Sequence, residues 1–244
     1  MLDVNKTIRE FAIESPSAIR VFEKLRIDYC CGGNQPLKDA CIQKGLQVDD
    51  VLQLLGQATQ TGTNSESSDS QSLPLASLIK LIVEKHHTYT RKELEFLSEL
   101  LERVCTAHGQ NHPELLHIRA HFQDLHAELL PHMMKEENIL FPFITRLETA
   151  INEDRPAPFA PFGQLRNPIT VMMAEHESAG EILENIRTLS NDFTVPDDAC
   201  FSYRTLYKTL EELELDLHQH IHLENNVLFP RASELEQTTR AATM

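Results

Sequence analysis

Apolar residues recur at steps of three and four along four long segments of the chain, and this spacing predicts four amphipathic helices. In the second segment the apolar stripe runs through Ile118, Phe122, Leu125 and Leu129 and resumes at Ile139. The four helices are expected to start near 72–74, 111–113, 167–168 and 196–197, where a proline lies beside a capping residue, and to end near Ala107, Leu147, Leu189 and Leu235. Four such helices with short turns predict an antiparallel bundle over residues 73–240.

A polar stretch precedes the bundle. Residues 57–72 contain no apolar residue larger than Ala58, so the sequence predicts a flexible linker there. Residues 1–56 then form a small helical domain, with helices starting at Thr7 and at Ser15-Pro16. Because about 50 residues make only a marginal core, this unit is expected to lean on the bundle or on a second copy of itself.

Polar residues interrupt two of the apolar stripes at matching places. His132 and Glu136 take core positions in the second helix, and His220 and Glu224 take them in the fourth. Residues four apart share one face of a helix, so each pair directs an imidazole and a carboxylate to one point. Both copies continue into Leu-Phe-Pro, and these prolines are expected to bend the helices beneath the site. The repeat indicates a duplicated unit with a duplicated chemical group.

The other two helices supply histidines as well. His176 lies on the buried side of the third helix. In the first helix, the preceding apolar residues favour His86 and the following ones favour His87. We select His87, because both His87 and His176 have apolar residues seven and ten positions further along.

Four imidazoles and two carboxylates inside an apolar bundle predict a metal site. Buried carboxylates without partners are costly, and no Lys or Arg lies on these stripes to pair with them. Six ligands exceed what one zinc ion takes, so two ions are expected, and the nitrogen and oxygen donors favour iron or manganese. Open positions would admit O₂, NO or peroxide.

Composition narrows the class of protein further. The chain has 244 residues and a formal net charge of −15, which argues against nucleic acid and anionic membranes as partners. No apolar run is long enough to span a membrane, and the first residues do not resemble a signal peptide. Five cysteines, two of them adjacent, are not typical of a disulfide framework, so a cytoplasmic protein is expected.

Two motifs carry a resemblance to a known family. Residues 28–33, Asp-Tyr-Cys-Cys-Gly-Gly, are followed by Leu37, Ala40 and Cys41, and the bundle carries residues 132–142, 175–180 and 220–230. With these motifs the chain resembles the iron–sulfur cluster repair di-iron proteins, also called the repair of iron centres family, whose bundle is hemerythrin-like. The resemblance implies an oxo-bridged di-iron centre with the ligands His87, His132, His176 and His220 and with Glu136 and Glu224 as bridges.

The resemblance also implies a function. Such a protein would restore iron–sulfur clusters damaged by nitric oxide or peroxide, by supplying iron to the damaged protein rather than as a classical enzyme. Cys30 and Cys31 would serve thiol redox chemistry or metal transfer. A sensor or carrier of NO or O₂ and an NO-reducing enzyme remain as alternatives, and so does a homodimer. Cys105 and Cys200 are expected to be buried structural residues, and Met133, Met134, Met172 and Met173 to fill the core beside the site.

Overall fold

The computed structural model describes residues 3–61 and 70–242. Four short helices form the N-terminal unit: α1 (Ile8–Glu14), α2 (Pro16–Leu25), α3 (Leu37–Gln43) and α4 (Val48–Thr61). Thr7 begins α1 in a capping box with Glu10, and Ser15 precedes α2, as the sequence predicts. The core of this unit packs around Phe22 and Tyr29, which are almost fully buried.

Helix α4 extends past the predicted end of the N-terminal unit. Residues 57–61 of the predicted linker are helical, because Ala58 still packs against the same core as Leu54 and Leu55. The rest of the predicted linker up to residue 69 lies outside the described residues. Residues 70–72 form a turn into the bundle.

The bundle consists of four long helices, three of which contain a π-helical segment. The first long helix comprises α5 (Leu75–Leu81), π-helical Ile82–His87 and α6 (Thr88–His108); the second comprises α7 (Glu114–Lys135), π-helical Glu136–Leu140 and α8 (Phe141–Asn152); the third is α9 (Arg166–Leu189); and the fourth comprises α10 (Phe201–His222), π-helical Leu223–Leu228 and α11 (Phe229–Ala242). No strand occurs in the described ranges, so the all-α prediction is confirmed.

The fourth long helix begins later than predicted. The expected start at Pro196-Asp197 is wrong, and Cys200 is the cap residue instead. The chain first passes through three residues with positive φ, Asn191, Asp192 and Phe193, which a helix cannot contain. Residues 196–199, which the sequence pattern assigns to the helix, therefore belong to the connection that precedes it.

Two apolar clusters fill the bundle at its two ends. One cluster includes Leu97, Phe122 and Leu213, and the other includes Ile82, Ile144 and Phe229. The predicted polar side chains lie between these clusters. A buried polar layer in the middle of the bundle is therefore enclosed by apolar side chains from both sides.

The π-helical segment of the second long helix changes the register of its apolar stripe, whereas Val227 in the fourth is buried as predicted. Ile139, predicted to lie in the core, is 50% exposed, whereas Leu140 is 1% exposed. A π turn contains one more residue than an α turn, so the buried face resumes one position later. In the second and fourth long helices the segment ends directly before Phe-Pro, where bends are predicted. The first has no such proline, so the wide turns do not require one.

The N-terminal unit packs against the bundle, which is one of the two placements expected from its size. The Arg9 guanidinium donates to the Asn226 carbonyl over 3.0 Å, and the Asn226 side-chain amide donates to the Tyr29 carbonyl over 2.9 Å. Arg26 forms an ion pair with Asp192. These contacts place the loop that carries the two adjacent cysteines against the third and fourth long helices.

Candidate metal centre

The structure brings together all six predicted ligand side chains, one histidine from each long helix and one glutamate from each of two. Their exposure is 2% or less, and they lie in the polar layer between the apolar clusters. Heptad spacing therefore selected the correct inward positions. That these residues bind metal stays a prediction. The six side chains are His87, His132, Glu136, His176, His220 and Glu224.

The six side chains form two overlapping groups that share both carboxylates. One group adds His87 and His220 to Glu136 and Glu224, and the other adds His132 and His176; within each group the ligand atoms lie within 4.8 Å of one another. Two cation positions side by side, each with two imidazoles, can therefore be bridged by two carboxylates.

The distances support this division. The Nε2 atoms of His87 and His220 are 3.1 Å apart, and those of His132 and His176 are 3.0 Å apart. The Glu136 Oε2 atom is 3.4 Å from Nε2 of both His87 and His132, one histidine of each group. Each carboxylate thus reaches both positions.

Hydrogen bonds orient three of the imidazoles from outside the cluster. Nδ1 of His87 contacts Glu137 Oε1 at 2.6 Å, and Nδ1 of His132 contacts Glu175 Oε2 at 2.8 Å. The side-chain oxygen of Asn225 lies 2.9 Å from Nδ1 of His176. Acceptors at Nδ1 fix its proton there and leave Nε2 directed at the cluster, as in metal-ligating histidines.

Sequence reasoning assigned no role to these three partners, although each is adjacent to a ligand along the chain. Glu137 follows Glu136, Glu175 precedes His176, and Asn225 follows Glu224. Polar residues next to a ligand are a signal, but the directions of Glu137 and Asn225 depend on the π-helical segments that contain them. Arg91 donates to Glu137 over 2.8 Å, and Lys135 pairs with Glu175, so both orienting carboxylates are themselves held.

The cluster fits a bound cation because its polar atoms lack other partners. Among the described residues, neither carboxylate oxygen of Glu136 has a hydrogen-bond partner outside the cluster, and neither does Oε2 of Glu224; Oε2 of each faces the cluster's own imidazoles, at 3.4 Å and 3.0 Å. A buried carboxylate in this state is costly unless positive charge lies beside it. Nitrogen and oxygen donors without sulfur suit iron, and we find that the residues present fit such an ion.

The pKa values show the same need for positive charge. Burial lowers the pKa of His87, but hydrogen bonds with Glu136 and Glu224 outweigh it and raise the pKa to about 10. Burial and the nearby Glu224 raise the pKa of Glu136 to about 7. Without a cation the cluster therefore takes up protons to balance its two carboxylates, and binding of a metal ion would displace them.

The pair His86 and His87 is resolved in an unexpected way, since both side chains are buried. Only His87 belongs to the ligand groups. His86 places Nδ1 2.9 Å from Asp216 Oδ1, and its ring stacks on that of His220 at 5.7 Å between centroids. The π-helical segment that ends at His87 lets neighbouring residues both face inward, which α-helical spacing alone does not predict.

Cys30 and Cys31 lie in a loop organised by Asp28. The Asp28 Oδ1 atom accepts the backbone N–H groups of both cysteines, at 3.0 and 2.9 Å, and the two Sγ atoms are 3.7 Å apart. The hydrogen bond to Cys31 and burial raise the pKa of the Cys30 thiol, and the same hydrogen bond lowers that of Cys31. Cys31 Sγ is 3.7 Å from the backbone carbonyl of His176, so the loop lies beside the ligand cluster.

Other predicted residues are placed differently. Cys105 is buried as expected, but the prediction for Cys200 is wrong because it is exposed at the start of α10. Met134 and Met173 are also exposed, since each lies one residue past the buried Met133 or Met172 and turns away from the core.

Comparison with known proteins agrees with this geometry. Residues 81–232 match the Hemerythrin HHE cation binding domain, which covers the whole cluster, and residues 4–59 match a domain of unknown function, DUF542. The fold and the cluster therefore define a hemerythrin-type cation-binding bundle behind a small helical domain.

Relatives that match this chain over almost its whole length are known. The chain is 36% identical over 224 residues to a probable iron-sulfur cluster repair protein of Haemophilus influenzae, covering 92% of this chain and 95% of that one. It is 37% identical over 228 residues to the iron-sulfur cluster repair protein YtfE of Yersinia pseudotuberculosis, covering 93% and 96%. The chain belongs to this family of iron–sulfur cluster repair proteins. Within the described ranges, no helix is long and apolar enough to cross a membrane.

Proposed function

We propose that this protein holds two iron ions in the bundle and supplies iron to iron–sulfur clusters damaged by nitric oxide or peroxide. The observation that carries the proposal is the pair of ligand groups that share Glu136 and Glu224 in a buried interior. The relatives, which are named as iron–sulfur cluster repair proteins, support the choice of target.

The side chains divide the work between two positions. His87 and His220 would hold one ion, His132 and His176 the other, and the two glutamates would bridge them in an oxo-bridged pair. Each position receives only two imidazoles and two carboxylate oxygens, which leaves room for a small ligand, as in other non-haem iron sites. Bound there, iron would supply a transferable ion and an open position for NO, O₂ or peroxide.

The surroundings would keep the ion exchangeable yet selective. Apolar clusters on both sides exclude bulk water from the ligands. The nitrogen and oxygen ligands would bind iron less tightly than the thiolates of an iron–sulfur protein do. This difference would favour transfer of iron towards the damaged cluster.

Cys30 and Cys31 would act at the exit from the bundle. The Cys31 thiol lies beside the backbone of His176 and faces a cavity of about 690 Å³. A thiolate there could receive an outgoing ion before a client protein takes it. All five cysteines are free, which supports a reducing, cytoplasmic setting for this chemistry.

Transfer of iron to a client protein tests the proposal directly. Iron-loaded protein is mixed anaerobically with an iron–sulfur enzyme whose cluster has been destroyed by NO, with sulfide and thiol present. Recovery of the client's activity, with an equal loss of iron from this protein, is the expected result. The proposal would be overturned if the client recovered as well with free iron, and as well with a variant that carries both His132→Ala and His176→Ala, as it does with the wild-type protein.

The alternatives give different outcomes in the same experiment. Reversible O₂ binding without loss of iron would indicate a carrier or sensor. Sustained N₂O production with added reductant would indicate an NO-reducing enzyme. Elution volume on a sizing column decides whether the protein works as a homodimer.

A further inference from the structure

Asn225 connects the ligand cluster to the N-terminal unit through both ends of one side-chain amide. Its nitrogen donates to the backbone carbonyl of Cys30 over 3.2 Å, and its oxygen accepts from Nδ1 of His176 at 2.9 Å. A backbone carbonyl can only accept, so the amide orientation is fixed by its partners. The proton of His176 therefore lies on Nδ1, and Nε2 remains free for a metal ion.

The other predicted ligands have no such connection in the part of the chain that the structure describes. His87 and His132 are oriented by Glu137 and Glu175, which belong to the bundle. Nδ1 of His220 has no hydrogen-bond partner there. His176 alone among the four is held by a residue that also bonds to the cysteine loop.

The neighbouring contacts make this connection depend on docking. Asn226 donates to the carbonyl of Tyr29 over 2.9 Å, and Arg9 donates to the carbonyl of Asn226 over 3.0 Å. Both asparagines lie in the π-helical segment that also contains Glu224. The N-terminal unit thus pins the turn of the fourth long helix that presents Asn225 to His176.

We propose that Asn225 is a positioning residue that couples docking of the N-terminal unit to retention of the ion at the His132–His176 position. This inference rests on the proposed function, because it requires an ion there. With the unit docked, the amide is held at both ends and keeps His176 oriented. When the cysteine loop turns towards a protein with a damaged iron–sulfur cluster, the amide loses the Cys30 carbonyl and His176 loosens.

The release step is a ligand exchange without oxidation or reduction. His176 would give up the ion through Nε2, and the Cys31 thiolate or water would take the place of the imidazole as its ligand. The cavity beside Cys31 is lined by Glu177, Glu181 and Glu184 but also by cationic side chains, and its carboxylates outnumber the latter, which favours passage of a cation. The cationic side chains are Arg26, Lys44 and Arg187. The same movement that frees the ion therefore leaves it beside a thiol and an acidic path.

Extraction of Fe(II) from the full chain by an excess of chelator tests the coupling. For wild type we expect two bound ions that leave slowly. For Asn225→Ala we expect one of the two ions to leave about ten-fold faster, the lower end of the loss that removal of a partner of a ligating histidine produces. Asn225→Asp keeps an oxygen acceptor for His176 but cannot donate to the Cys30 carbonyl, so the coupling predicts fast extraction of one ion here as well, and slow extraction from this variant would overturn the coupling.

Arg9→Ala separates orientation from docking, because Arg9 touches no predicted ligand. It should accelerate release of one ion in the wild-type background but not in Asn225→Ala, where the connection is already cut. Acceleration of both ions, or no effect of Asn225→Ala, overturns the role of Asn225. The coupling is overturned if Arg9→Ala accelerates release equally in both backgrounds. It is also overturned if Arg9→Ala accelerates release in neither background.

The failure of the proposed function has a distinct signature. A wild-type chain that does not bind two ions overturns that function before any variant is compared. Circular dichroism of each variant checks that it is folded. If Asn225→Ala does not fold, Asn225→Asp supplies the decisive comparison.

Discussion

The carboxylate of Glu224 reaches across the bundle to His176, with 3.0 Å between Oε2 and Nε2. Its other oxygen lies 3.0 Å from Nε2 of His220 on the same helix. One side chain therefore faces the imidazoles of both predicted cation positions. Such a carboxylate either bridges two ions or is balanced by two protonated histidines.

Replacement of this bridge should remove metal. In Glu224→Gln an amide group replaces one carboxylate oxygen, and its N–H₂ repels a cation. We expect the iron content to fall from two ions per chain to one or none, measured by elemental analysis of protein loaded anaerobically. Glu128→Gln is the matched control, because Glu128 lies on the exposed face of the second long helix and bonds to Ser178. Two ions retained in Glu224→Gln would contradict the bridging role.

Glu136 should destabilise the protein when metal is absent. Burial and the charge of Glu224 raise its pKa from 4.5 to about 7, so the folded state binds this proton more tightly than the unfolded state. The contribution of Glu136 to the stability of metal-free protein should therefore fall as pH rises from about 4.5 to about 7 and then level, by roughly 3 kcal/mol at most.

Glu136→Gln cannot ionise and should remove much of this fall. Urea unfolding of chelated protein at several pH values measures it. The same variant should lose the stabilisation that iron gives to wild type, because a ligand that binds only the folded state raises its stability. A pH dependence identical to wild type would show that Glu136 is not the group responsible.

His87 should be needed for metal binding, whereas His86 should be needed for the stability of the fold. His87→Ala removes a predicted ligand, so one ion should be lost or bound much more weakly. His86→Ala should keep both ions but lower the free energy of unfolding by about 1–3 kcal/mol, because the partly buried carboxylate of Asp216 is left without its partner. Iron content and urea unfolding of the two variants distinguish the roles. Loss of iron in His86→Ala alone would reverse the assignment.

The cluster could be predicted from the sequence because its ligands replace core residues of a regular stripe. His132 and Glu136 stand where a leucine would ordinarily pack, and the register up to that point is α-helical. Beyond Glu136 the prediction was wrong for Ile139, which is exposed, whereas Phe143 is buried as predicted. Nothing in the local sequence indicates that a π turn, rather than a bend at Pro142, accommodates the proline.

Long-range contacts could not be predicted in the same way. Asn225 and Cys30 are far apart along the chain, and their hydrogen bond depends on how two separately folded units meet. The sequence indicates a local role for each residue, but it does not indicate that the two residues are in contact. Helix periodicity finds the faces of helices, whereas docking depends on shape and on exact hydrogen-bond partners.

His112 should stabilise the far end of the bundle only while it is protonated. Its ring lies 2.9 Å from Glu114 Oε1 and 3.0 Å from Asp198 Oδ1, so it connects the start of the second long helix to the turn before the fourth. The hydrogen bond with Glu114 raises its pKa above the ordinary 6.5, assisted by Asp198. A raised pKa in the folded state means that the stabilisation is complete below pH 6.5 and is lost as pH rises through the folded-state value.

His112→Ala should therefore lower the melting temperature more at pH 6 than at pH 9. The effect should stay within about 1 kcal/mol, because solvent screens a pair this close to the surface. His117→Ala, in the helix that begins just after His112, is the control and should show no such pH dependence, because the structure gives its ring no carboxylate partner among the described residues. Thermal unfolding of both variants across this range decides the matter. A difference between wild type and His112→Ala that grows with pH would mean that His112 stabilises the fold in its neutral form, by packing against Tyr203 at 5.3 Å rather than by charge.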